Sequence, residues 1–146
     1  MVAGRSSRRQ WRLAARSRAD ERGDTSDTTV SPADCFTCDV TAGRRAAPGG
    51  ETYEDNHWIA DHGIDLLVRG YVVLKPKRHV HELADLMPEE ARSFGPVIHV
   101  ILVAMRRALV TERIYVCSFA ETVHHLPFHL LPRYADMPGL GPNLLP

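Results

Sequence analysis

His124-His125-Leu126-Pro127-Phe128-His129-Leu130-Leu131-Pro132-Arg133 is the stretch on which the fold turns. Apolar and polar residues alternate along it, and successive side chains of a strand point to opposite faces. His125, Pro127 and His129 fall on one face. His124, Leu126, Phe128 and Leu130 fall on the other. Phe128 and Leu130 suit a core, so His125 and His129 are expected to look outward, toward solvent or a ligand. With Arg133 nearby, that face could hold an anion.

Working outward, Gly70 to Lys75 (GYVVLK) is a β-branched run ended by Pro76, a second strand. Arg113 to Phe119 is a third. Glu51 to Glu54 and His57 to Asp61 flank the polar pair Asp55-Asn56, as the arms of a hairpin would. Between the strands, Pro88-Glu89-Glu90 opens a helix. A proline at the first position and acids in the first turn suit the unpaired amides and the dipole there. Ala91, Phe94, Val97, Ile98, Ile101, Met105 and Leu109 recur at spacings of three and four, a buried helical stripe. Gly95-Pro96 is expected to kink or interrupt its first turns. Five short strands and one long helix give an α+β domain with a five-stranded antiparallel sheet covered on one side.

The chain has 146 residues, 44% hydrophobic and 25% charged, with a formal net charge of zero. The zero hides an asymmetry. Residues 1–22 hold seven arginines against Asp20 and Glu21, a local charge of +5, while the remainder carries 11 basic and 16 acidic residues. The body is therefore mildly acidic, and no nucleic-acid partner is expected. Residues 1–32 are expected to form a disordered basic extension, dispensable for the domain at 33–146. An Arg- and Ser-rich transit peptide, or an arm for nucleic acid or anionic lipid, shares that composition. No run of about 18 apolar residues is present, so no membrane span is expected. Three cysteines are too few for a disulfide scaffold, which favours a reducing, cytoplasmic setting. Cys35-Phe36-Thr37-Cys38 is half of a metal site at most, with redox or incidental readings beside it.

Taken together, these segments resemble the histidine-triad (HIT) family. His125-Leu126-Pro127-Phe128-His129-Leu130-Leu131 is similar to its His-φ-His-φ-His-φ-φ signature, and Pro132-Arg133 follows as it often does there. Gly70 to His79 resembles its Gly-His-x-Leu-Val-Ile-Pro-Lys-x-His strand, Tyr53-Glu54-Asp55 its first strand, and Cys35 to Cys38 the Cys-x-x-Cys of its zinc-containing members. The resemblance implies a nucleotide-binding protein, often a homodimer. Its activity would be hydrolysis or transfer at the α-phosphate of dinucleoside polyphosphates or nucleoside phosphoramidates, through a covalent nucleotidyl-histidine. It also implies a structural zinc held by Cys35, Cys38, His79 and, most plausibly, His125, with His81 competing for the third place. Cys117 reads as a core cysteine.

At the nucleophile's position stands Pro127, which has neither a nucleophile nor an N–H. The resemblance therefore implies that the covalent step is lost, unless a bulge re-aims His124. Phosphate contacts are expected from Ser118, Glu121, His125 and His129. Asp61 and Asp65 are candidates for a ribose contact or simply solvated turn acids. Two functions follow: an impaired nucleotide hydrolase or transferase binding adenosine phosphates, or a non-catalytic, zinc-stabilised nucleotide-binding or interaction module.

Overall fold

The computed structural model describes residues 35–47, 49–64, 66–119, 124–139 and 141. The basic extension, Asp65 and Glu121 lie outside the described residues. The elements run in the order α1 (Phe36–Thr41), β1 (Glu51–Glu54), β2 (Trp58–His62), β3 (Val72–Pro76), a 3-10 turn (Leu83–Asp85), α2 (Pro88–Ala108), β4 (Arg113–Cys117) and β5 (Phe128–Arg133). The strands form one five-stranded sheet in the order β1-β2-β3-β5-β4, and the described pairs are all antiparallel.

The β1–β2 hairpin turns on Asp55. Its Oδ1 accepts the backbone N–H groups of His57 and Trp58 at 2.8 and 2.7 Å, the local bond that makes aspartate a turn residue. One face of the sheet presents Trp58, Ala60, Val72, Leu74, Phe128 and Leu130 to Val97, Ile101 and Met105 of α2. Trp58, Phe94 and Phe128 form the aromatic centre of this core, with Phe94 and Phe128 centroids 4.3 Å apart.

Three expectations are corrected. The helix is not interrupted at Pro96 but runs through it. Pro96 lies on the exposed side, where water can meet the carbonyl that its missing N–H leaves unpaired. Ala91 is exposed, and the first buried position of α2 belongs to Glu90. Glu90 accepts the Met87 backbone N–H at 2.7 Å and pairs with Arg78 at 2.7 Å, so its charge closes the helix start and is neutralised. The last strand begins at Phe128 and not at His124, so His124 to Pro127 are an approach segment outside the strand.

Candidate metal centre and triad site

The approach segment builds the site. Leu126 donates its N–H to the Val80 carbonyl at 2.6 Å, which draws residues 124–126 against the stretch following β3. His125 is thereby turned inward. It is 1% exposed and does not face solvent, which corrects the expected strand alternation. Its Nε2 donates to the Pro76 carbonyl at 2.8 Å, which leaves Nδ1 as a lone-pair donor.

That Nδ1 lies 3.5 Å from Cys35 Sγ and 3.6 Å from Cys38 Sγ, while His79 Nδ1 lies 3.2 Å from Cys38 Sγ. The ligand atoms of Cys35, Cys38, His79 and His125 all lie within 4.8 Å of one another. Tetrahedral zinc, with bonds of ~2.0–2.3 Å, has edges of ~3.3–3.8 Å between its ligand atoms, so the cage has a fitting size. The short helix α1 explains how Cys-x-x-Cys contributes twice. Cys35 caps the helix and Cys38 sits within its first turn, which brings both sulfurs to one end. This helix was not legible in the motif alone.

The electrostatics suit a soft cation. Burial pushes the His125 imidazole down to about 4, and burial together with His81 and His124 lowers His79, so both rings are neutral ligands at pH 7. Burial and the neighbouring Cys35 push the Cys38 thiol up to about 11 in the metal-free cage. A bound zinc inverts that preference and draws thiolates. His81 is not a member of the four. It supports the cage from outside, with its Nε2 3.0 Å from His79 Nε2, and His124 lies against it at 5.7 Å between ring centroids.

His129 belongs to a different place. It lies on β5, paired in register with Val73 of β3 and Cys117 of β4, on the face away from α2. Its Nδ1 is 2.5 Å from the Tyr71 hydroxyl. Tyr71 fits because Gly63 stands beneath its ring, where a Cβ would lie 2.0 Å from a ring carbon. Whichever group donates, this bond occupies Nδ1 and leaves Nε2 on the far side of the ring from Tyr71.

Pro127 is half-buried, one residue before β5. Ser118 is exposed just past β4, next to Cys117, and has no described bond to the histidines. Cys117 is half-buried and lies outside the metal cage, its thiol 3.9 Å from the His129 carbonyl oxygen. Asp61 is not a solvated turn acid. It lies in β2, 5% exposed, and accepts from Lys75 Nζ at 2.5 Å. Arg133, at the far end of β5, lies 3.7 Å from Glu112.

An antiparallel sheet in this order, one long helix across it and a Cys2His2 cage beside a histidine-bearing strand define the histidine-triad fold, and the resemblance drawn from the sequence holds. No family model matches the chain. The chain is 29% identical over 103 residues to an uncharacterized HIT-like protein of Mycobacterium tuberculosis, covering 67% of this chain and 70% of that one. Among solved structures, a HIT family protein from Bacillus anthracis superposes with a TM-score of 0.66 at 26% identity, covering 74% of this chain and 79% of that one. A Zn-bound histidine triad family protein from Mycobacterium smegmatis does so with a TM-score of 0.63 at 25% identity, covering 73% and 79%. Among the described residues no helix is long and apolar enough to cross a membrane.

Proposed function

We propose that this chain is a zinc-stabilised, nucleotide-binding protein of the histidine-triad type that binds adenosine phosphates and has lost covalent nucleotidyl transfer. One observation carries this reading: the nucleophile's position is Pro127, and the flanking His125 and His129 each hold a ring nitrogen against another partner. His125 spends Nε2 on the Pro76 carbonyl and offers Nδ1 to the cage. His129 spends Nδ1 on Tyr71, and in the tautomer with that nitrogen accepting, Nε2 carries the proton and has no lone pair to attack phosphorus. His124 lies against His81 on the cage side. A nucleophile would have to come from residue 127, where proline offers none.

What remains can bind. With Nε2 protonated, His129 is a donor for a phosphoryl oxygen, and such donors can stabilise charge without forming a bond to phosphorus. The zinc would be held by Cys35, Cys38, His79 and His125, and its chemistry here is structural, because all four positions of a tetrahedron are protein ligands. Its role is to fix residues 35–38, 79 and 125 together, and so to set the approach to β5.

Pro127→His tests the reading. The variant is expected to gain at least ~100-fold in hydrolysis of a fluorogenic adenosine phosphoramidate and to form an adenylyl adduct visible by mass spectrometry, part of the ~10⁴–10⁶ that loss of a nucleophile removes. A folded variant with neither gain would contradict it.

A further inference from the structure

The sheet face away from α2 carries a charged pair that packing does not explain. Lys75 and Asp61 are each 5% exposed, and their side chains meet at 2.5 Å. The same face presents Ile59, Val73 and Leu131, with Ile59 and Leu131 almost wholly buried. Replacing a buried ion pair by apolar residues of similar volume is often neutral or stabilising, because two buried charges lose hydration that their attraction barely returns.

The register gives the pair its location. In the β3–β5 ladder Val72 faces Leu130, Val73 faces His129 and Leu74 faces Phe128. Lys75 follows Leu74 and Pro127 precedes Phe128, so the two residues flank the last described pair of the ladder. Pro127 has no N–H to continue the ladder, which accounts for its stopping there. Leu74 and Phe128 point into the core, so Lys75 shares the face of Val73 and His129. The ammonium has three donors. One goes to Asp61, and no partner for the other two is found among the described residues. Arg133, the other cation on that face along β5, is four residues beyond His129 and lies near Glu112.

We propose that Lys75 is the phosphate-binding cation of this site, held in place by Asp61, and that it supplies by charge what the chain no longer supplies at residue 127. The proposal rests on the nucleotide-binding reading above. Asp61 keeps the ammonium neutralised while the site is empty and directs its remaining N–H donors, and the phosphate of a nucleoside monophosphate takes those donors together with His129 Nε2–H.

Calorimetric titration of the full chain with adenosine monophosphate, inorganic phosphate and adenosine tests this. Lys75→Met alone would strand Asp61, so it is paired with Asp61→Leu, which removes both charges together; Lys75→Arg keeps the charge. The double variant is expected to weaken adenosine monophosphate binding about 10–100-fold, the scale of a lost hydrogen bond to a charged group, and to reduce its salt dependence. Adenosine binding should stay within a few-fold, and Lys75→Arg should retain most of the phosphate binding. Unchanged monophosphate affinity in the folded double variant, beside a wild type that binds, overturns the assignment of Lys75 and leaves the nucleotide reading standing. An equal loss for adenosine also overturns the assignment. A wild type that binds no nucleotide overturns both.

Discussion

Removing the metal should loosen one end of the domain far more than its core. The cage ties α1, through Cys35 and Cys38, to the stretch after β3, through His79, and to the approach to β5, through His125. Cys35 and His125 are 3% and 1% exposed, so an empty cage leaves polar groups buried without the ligand that they face. With free zinc at a thousandfold its dissociation constant, linkage gives ~4 kcal/mol of stability. A domain of about 100 residues shifts by ~4–8 °C per kcal/mol, so chelation should lower Tm by at least ~15 °C. Cys38→Ser replaces a thiolate with a hydroxyl and should abolish one-per-chain zinc and most of the Tm difference together. Metal analysis, thermal unfolding with and without chelator, and hydrogen exchange over residues 35–41 and 124–126 would measure this. A Tm unmoved by complete metal removal would refute the reasoning, as would Cys38→Ser protein that still carries one zinc.

Glu90 should govern acid stability. Its hydrogen bonds to Arg78 hold its carboxyl below the usual range against the cost of burial, with help from the Met87 N–H and His57. A folded pKa below the unfolded one adds stability that is complete above the ordinary glutamate value of ~4.3 and is lost as pH falls through the folded value. Glu90→Gln should therefore be less stable than wild type at pH 7 in urea titrations, and the gap should narrow as pH falls below the ordinary glutamate value of ~4.3. Leu74→Ala, in the centre of the sheet and 0% exposed, should cost ~2–5 kcal/mol by the same measurement. Gly63→Ala would drive a methyl into the Tyr71 ring, so it should weaken adenosine monophosphate binding through His129, seen as a changed His129 ring signal by NMR.

The sheet and the long helix were legible because their patterns repeat. The β-branched run before Pro76 and the three-and-four spacing from Phe94 to Met105 each bury one face, and a repeated pattern survives one exception such as Ala91. The end of the sheet was not legible. Alternation from His124 to Leu131 reads as one strand, yet Pro127 ends the ladder and the Val80 carbonyl captures Leu126, so His125 turns inward. That is a tertiary contact between residues 46 positions apart, which no local pattern contains. The four cage residues were found through motif resemblance, and the turn of helix joining the two cysteines was not, since six residues carry too weak a period. Lys75 passed as an ordinary strand residue because only the register places it beside the end of the ladder, next to the Leu74–Phe128 pair.

Parallel measurement of binding and turnover on the wild-type chain tests the central claim most directly. Zinc-loaded protein is titrated with adenosine monophosphate by calorimetry and, in the same preparation, incubated with diadenosine tetraphosphate and an adenosine phosphoramidate while products and protein mass are followed. Saturable binding with no adenylyl adduct and turnover far below the ~1 s⁻¹ of ordinary enzymes is the expected result. Turnover at ~1 s⁻¹ or above, or an adduct on any histidine of the wild-type chain, would contradict it.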